Sequence, residues 1–290
     1  MDVIKNRNKF KILSSAIIIL GLIMFLIKGF NLGIDFVGGT IIEINLGKYV
    51  ETAEIREILD DYDNKATVLY SGKNKEHIII KSAADISNDD TTEIISKFID
   101  KYDIKGQNYQ SDKFEPLMGK EIKRKALLST LIAVVAMLAY ISFRFELNFG
   151  ISAIIALIHD ILIMLAFYAI FRIPVDSSFI AAILTILGYS INDTIVIFDR
   201  IRENSKLYHR SSKDELVNMS IKQSIRRTIY TSLTTFISVV IVYLLGVDDM
   251  KILALPLMVG IIAGTYSSLF IASPMWYELS TREELKTKSA

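Results

Sequence analysis

The chain has 290 residues, a net charge of +1 and a mean hydropathy of +0.39, with 51% of its residues hydrophobic. A charge so close to neutral leaves no overall field to draw the protein to nucleic acid, so no nucleic-acid partner is expected. The absence of cysteine excludes disulfides, thiolate chemistry and Cys-based metal sites, and the three histidines, His77, His159 and His209, stand far apart in sequence; no metal or cofactor is expected.

The first element is an apolar run near 10–28, preceded by Lys5, Arg7, Lys9 and Lys11. No small-x-small cleavage site follows it. It runs on into Lys28-Gly-Phe-Asn-Leu-Gly33, so it reads as an uncleaved membrane span rather than a signal peptide. From 29 to 124 the composition turns polar and alternating. Phe36–Leu46 reads as a strand interrupted at Gly38-Gly39, and Thr52–Tyr62 as a helix with Ile55, Leu59 and Tyr62 on one side. Ala66–Tyr70 and His77–Lys81 read as strands joined by a turn, Asp90–Tyr102 as a helix burying Ile94, Ile95 and Phe98, and Ile104–Gln110 as a last strand. That order is βαββαβ, a ferredoxin-like pattern. About 95 residues bury a modest core, and no carboxylate pair or nucleophile constellation marks the domain as catalytic.

Five further apolar runs follow, near 125–143, 148–171, 178–198, 226–245 and 252–276, each long enough for a bilayer core. The expected division is therefore 1–28 for the N-terminus and first span, 29–124 for an external α+β domain, 125–276 for spans two to six, and 277–290 for a tail. Basic residues set the orientation. The stretch from Asp199 to Arg227 carries eight of them, and the tail adds Arg282, Lys286 and Lys288. Arg172 and Lys251 stand alone in the loops after spans three and five. Both termini and the loop after span four are thus expected inside, and the 29–124 domain outside. Lys120, Lys123, Arg124 and Lys125 lie on the outer side, but within a long segment, where the rule has little weight.

Asp193 stands out because it interrupts an apolar span. A charge at membrane depth costs roughly 2.5–3.5 kcal/mol on insertion scales and usually marks an ion or proton path. It lies about six residues before the basic loop, so roughly 9 Å inside the helix end. Thr185, Tyr189, Asn192 and Asp193 fall on one stripe, which should face protein or a water-filled path. Burial favours the neutral acid and a nearby arginine the carboxylate, so an acid balanced between them can load and release protons. On span five, steps of three or four from Arg227 reach Thr231, Thr235 and Ser238, a polar stripe, whereas steps from Arg226 reach Tyr230, Leu233 and Ile237. Arg227 is therefore expected to point into the bundle at the depth of Asp193, and Arg226 to snorkel. His159 and Asp160, near the middle of span three, form either a proton relay or a structural hydrogen bond to a neighbouring span. Gly188, Gly260 and Gly264 are expected to let helices approach closely, the last two as a GxxxG match. Arg144 and Glu146 read as a pair fixing the turn between spans two and three.

Several segments resemble one known family. Gly33-Ile-Asp-Phe-Val-Gly-Gly-Thr40 is similar to the segment after the first span of the SecD/SecF protein-export proteins. Arg144-Phe-Glu146, His159-Asp160 and Arg227-Thr-Ile-Tyr-Thr-Ser232 with Gly264-Thr-Tyr-Ser-Ser268 fit the SecF branch. So does the long and specific Leu187-Gly-Tyr-Ser-Ile-Asn-Asp-Thr-Ile-Val-Ile-Phe-Asp-Arg-Ile-Arg-Glu-Asn204. The match runs from about 10 to 276, in order, and looks like a stand-alone SecF rather than a fused SecD-SecF chain. The resemblance implies a six-helix half of an RND-type transporter in a prokaryotic plasma membrane, paired with SecD and working with the SecYEG translocon on exported unfolded polypeptide. It implies use of the proton gradient, with Asp193 and Arg227 as the proton-responsive residues. Two other readings carry less: an exporter of small molecules or lipids from the same superfamily, and a passive scaffold for SecD. An intramembrane aspartyl protease built on Asp160 and Asp193 lacks the Gly-x-Gly-Asp surroundings such enzymes need, so no enzyme is expected.

Overall fold

The computed structural model describes residues 2–72, 74–84, 86–104, 109–114 and 116–289. Among these residues six helices are long and apolar enough to cross a membrane. They are α1 (Arg7–Lys28), α5 (Pro116–Arg144), α6 (Leu147–Phe171), α7 (Ser177–Leu207), α8 (Lys213–Leu245), and α9 (Asp248–Ser267) continued into α10 (Ser273–Ser289). A π-helical turn, Ser268–Ala272, joins α9 to α10, and the Ser273 hydroxyl donates to the Ser268 carbonyl five residues back. At ~1.5 Å per residue α7 is roughly 45 Å long, more than a bilayer core. It therefore runs well past Phe198, where the apolar pattern stops, and the depth of Asp193 cannot be counted from the basic residues as the end of the helix. The expected domain boundaries at 124 and 276 both fall inside continuous helices, α5 and α10.

Between α1 and α5 lie α2 (Ile34–Val37), β1 (Gly39–Asn45), α3 (Thr52–Leu59), β2 (Thr67–Ser71), β3 (His77–Ser82), α4 (Asn88–Tyr102) and β4 (Tyr109–Phe114). The strands pair antiparallel in the order β2-β3-β1-β4. One face of the sheet buries Ile42, Ile44, Ile78 and Ile80 against Ile55 and Leu59 of α3 and Ile94, Ile95 and Phe98 of α4. Ser87 and Asp90 form a reciprocal cap that fixes the start of α4.

Two strand readings are corrected. Phe36 and Val37, read as the start of the first strand, belong instead to the helical turn Ile34–Val37, in which Ile34 and Phe36 are buried. Gly38 and Gly39 have φ of 86° and 149°, and a Cβ on Gly39 would strike the Ser82 carbonyl, so β1 begins only there. The last strand is Tyr109–Phe114 rather than Ile104–Gln110; Ile104 packs on the domain core, and 105–108 lie outside the described residues.

The domain is tied to the bundle at two loops. Gly33 N–H donates to the Val175 carbonyl and Val175 N–H to the Asn31 carbonyl, both at 2.7 Å, while Asp35 accepts from Ser177 N–H at 2.8 Å. At the second loop Asp248 accepts from Tyr70 N–H at 2.9 Å, and Lys81 approaches Asp249 at 3.9 Å. In the bundle α6, α7 and α9 are central, with α1 packed on α6 and α8 on α7 and α9. At the far end Val3 and Ile4 are buried, their N–H groups held by Asn218, and Arg7 and Lys11 both bridge to Glu278.

Candidate functional site

Two carboxylates are buried among the membrane helices, in different surroundings. Asp160, on α6, is 0% exposed. Its Oδ2 accepts from Ser190 of α7 at 2.6 Å, and its Oδ1 lies 3.0 Å from His159 Nδ1. His159 Nε2 lies 2.9 Å from the Ser14 hydroxyl of α1, and the His159 ring stacks on Tyr266 of α9. The network continues through the Ser190 carbonyl, which accepts from Thr194 and Ser268, and Thr194 and Ser268 lie 2.8 Å apart. One polar chain thus crosses α1, α6, α7 and the π-helical turn with every end enclosed. A π turn offsets the face of a helix by one residue, and here it presents Ser268 to α7.

Asp193 sits three residues on from Ser190 on α7, and it is 4% exposed. Its Oδ2 accepts from Ser232 of α8 at 3.1 Å, and its Oδ1 has a long contact of 3.5 Å with the Thr231 hydroxyl. It makes no hydrogen bond to Asp160, and it forms no ion pair with Arg227 within 4.0 Å among the described residues. Arg227 is exposed, as are Thr231 and Ser238, so the arginine lies on the rim of the site instead of pointing inward as its stripe predicted. The face of α8 that is buried carries Ser224, Thr228 and Ser232, one residue on from the predicted stripe. Arg226 follows expectation: it is exposed, with its guanidinium over Tyr230.

The matching stripe on α7 divides in the same way. Thr185 and Asn192 are exposed, Tyr189 is half-buried, and Asp193 turns in. The Tyr189 hydroxyl bridges to α8, donating to the Thr231 carbonyl at 3.0 Å and meeting the Thr235 hydroxyl at 3.2 Å. The two helices therefore share an exposed polar face made by Asn192, Arg227 and Thr231, and Asp193 lies buried beside it. Gly188 lies on the exposed side: a Cβ there would meet nothing within 4 Å, so its expected packing role is not found in this chain. Gly260 and Gly264 do pack. A Cβ on Gly260 would run into Ile186, and one on Gly264 would come within 2.9 Å of Ser190, which carries the Asp160 bond.

The sequence missed Ser14, Ser190 and Ser268 as partners. A serine in a span bonds its own helix as easily as another, so its identity alone gave no signal. Arg144 pairs across elements with Asp199 at 3.6 Å, and Asp199 with Arg202 at 3.0 Å, in place of the expected pair with Glu146. No group of three metal-ligating side chains occurs among the described residues.

Comparison with known sequences decides the family. The C-terminal model of the protein export membrane proteins SecD/SecF matches residues 94–282, and the SecD/SecF GG motif matches 23–50. The chain belongs to the SecD/SecF protein-export family. The protein translocase subunit SecF of Alicyclobacillus acidocaldarius is 38% identical over 98% of this chain and 94% of its own length. Protein translocase subunit SecDF of Bacillus subtilis is 38% identical over 100% of this chain, which covers 39% of that longer protein. The crystal structure of SecDF from Thermus thermophilus, described as a translocon-associated membrane protein, superposes with a TM-score of 0.81 at 32% identity, over 97% of this chain and 39% of that one. The chain is thus a multi-pass membrane protein with a role in protein export, and it spans about two fifths of the fused relatives.

Proposed function

We propose that this chain is the SecF-type half of a proton-driven accessory to the Sec translocase, and that Asp193 is the acid that binds and releases the proton. The observation that carries the reading is the place of Asp193: buried between α7 and α8, weakly hydrogen-bonded, and next to an exposed polar face. A polar face turned to acyl chains is costly, so this is the face that SecD covers, and fused SecDF relatives support that pairing. Arg227 and Asn192, on the rim, would close on Asp193 from the partner's side. In this reading His159 and Asp160 are the enclosed polar core that holds α1, α6 and α7 in register, and Asp193 alone exchanges protons.

In this reading the membrane is the plasma membrane of a prokaryote, and the basic loops favour both termini cytoplasmic and the β-sheet domain outside. There the domain would meet the emerging unfolded polypeptide beside SecYEG. This reading gives the chain no catalytic step; Asp160 and Asp193 have separate partners and share no hydrogen bond, which speaks against an aspartyl dyad.

The test is export of a secretory protein into vesicles containing translocase, SecD and this chain, with and without an imposed proton gradient. Asp193→Asn should abolish the stimulation by the gradient while insertion and SecD binding persist. Normal stimulation in that variant refutes the proton role and favours a passive scaffold.

A further inference from the structure

A cavity of about 640 Å³ lies where the β-sheet domain meets the bundle, within the size range of small-ligand sites. Its floor is apolar and made by the ends of the spans: Tyr168 of α6, Pro174 of the following loop, and Ile252 and Leu255 of α9. Its roof is the underside of β2, through Thr67 and Leu69. A site with its floor at the ends of membrane helices stands at headgroup level.

The charges in the wall are mostly satisfied within the protein. Asp35 takes the Ser177 N–H, Asp63 the Ser82 hydroxyl, Asp248 pairs with Lys251 at 2.7 Å, and Lys81 leans to Asp249. Two others remain. Asp176, half-buried in the wall, accepts the N–H of Phe179. Burial holds its carboxyl above the usual range, and the neighbouring Asp35 adds to this. Lys65 lines the same cavity, exposed and without a counter-charge among the described residues. One cavity therefore presents an acid, a lysine lacking an anion, and an apolar floor. Beside it the ends of α8 and α9 expose Leu244, Leu245 and Leu253, a surface suited to acyl chains.

We propose that this cavity binds the headgroup of an amine-bearing phospholipid from the leaflet on the domain's side, its ammonium on Asp176, its phosphate on Lys65, and its chains along the leucines of α8 and α9. A lipid fits better than a polypeptide segment because the floor and the flanking leucines lie at membrane level. The proposal goes beyond the export reading and holds whichever residue carries the proton. A seated lipid would wedge the domain against the loops that lead into α7 and α9.

The experiment is native mass spectrometry of the full chain in detergent, incubated with phosphatidylethanolamine or with phosphatidylglycerol. One phosphatidylethanolamine per chain should survive, in preference to phosphatidylglycerol. The double variant Asp176→Asn with Lys65→Gln should cut the retained fraction about tenfold, as expected for the loss of two charge-assisted contacts. Leu69→Trp, which fills the roof, should abolish retention while gel filtration and circular dichroism remain unchanged. Equal retention of the two lipids, or equal retention by wild type and both variants, overturns the proposal. So does a photoreactive side chain at position 69 that cross-links to an exported polypeptide and not to lipid.

Discussion

Asp160 and Asp193 are both carboxylates in membrane helices and both nearly inaccessible, and Ser190, which donates to Asp160, stands less than one helical turn from Asp193 on α7. They differ in company. Asp160 is met by Ser190 and His159 at short range, and that network ends at Ser14 and Ser268 with no route out. Asp193 has one good donor, Ser232, and a rim of exposed Thr231, Asn192 and Arg227. Burial alone therefore does not mark a proton site. A saturated carboxylate is a structural link, whereas one with spare acceptor capacity beside an open polar face is equipped to exchange with a partner.

Breaking the enclosed network should have the largest effect on stability. Asp160→Ala leaves the Ser190 hydroxyl and His159 buried without their acceptor, and should lower stability by about 2–4 kcal/mol, read as a fall in the thermal midpoint of the purified chain in detergent. A loss no greater than that of Asp193→Asn would remove the contrast between the two acids. Overpacking comes next. Gly260→Leu pushes a side chain into Ile186 and should cost about 1–3 kcal/mol, and the same measurement reads it. Ser232→Ala removes the best partner of Asp193 and should cost about 1 kcal/mol, while shifting the pH at which gradient-driven export is half-maximal. Smallest on stability are the rim residues. Arg227→Gln and Gly188→Leu should each stay within about 0.5 kcal/mol, because both positions are exposed in this chain. Both should nonetheless reduce co-purification with the partner half or gradient-driven export. If neither changes, the polar face of α7 and α8 is not covered by a partner.

Much of this arrangement was legible in the sequence. Asp193 and Asp160 announce themselves because a charge in an apolar span has no cheap explanation, and the spans announce themselves by length. What stayed hidden depended on direction. Periodicity put Arg227 and Thr231 on one stripe correctly, but the buried stripe is the neighbouring one through Thr228 and Ser232, and a shift of one residue on α8 turns a face by about 100°. Gly188 and Gly260 look alike in sequence, yet one faces open space and the other Ile186, because only the second lies where α7 and α9 cross. The end of the turn at Ile34–Val37 was hidden because Phe36 and Val37 suit a strand as well as a short helix held by its contacts. Helices α7 and α8 outrun their apolar segments because intramolecular packing at the basic end, such as Asn204 with Ser220 and Gln223, replaces lipid as their support.

The most direct measurement of the central claim is the infrared signal of the protonated carboxyl in the reconstituted complex with SecD as pH is stepped, assigned with Asp193→Asn and Asp160→Asn. The account predicts that the carboxyl band lost in Asp193→Asn grows and fades with pH, while the signal lost in Asp160→Asn does not respond. A band assigned to Asp193 that stays fixed across the range, or a response that belongs to Asp160 instead, would contradict it.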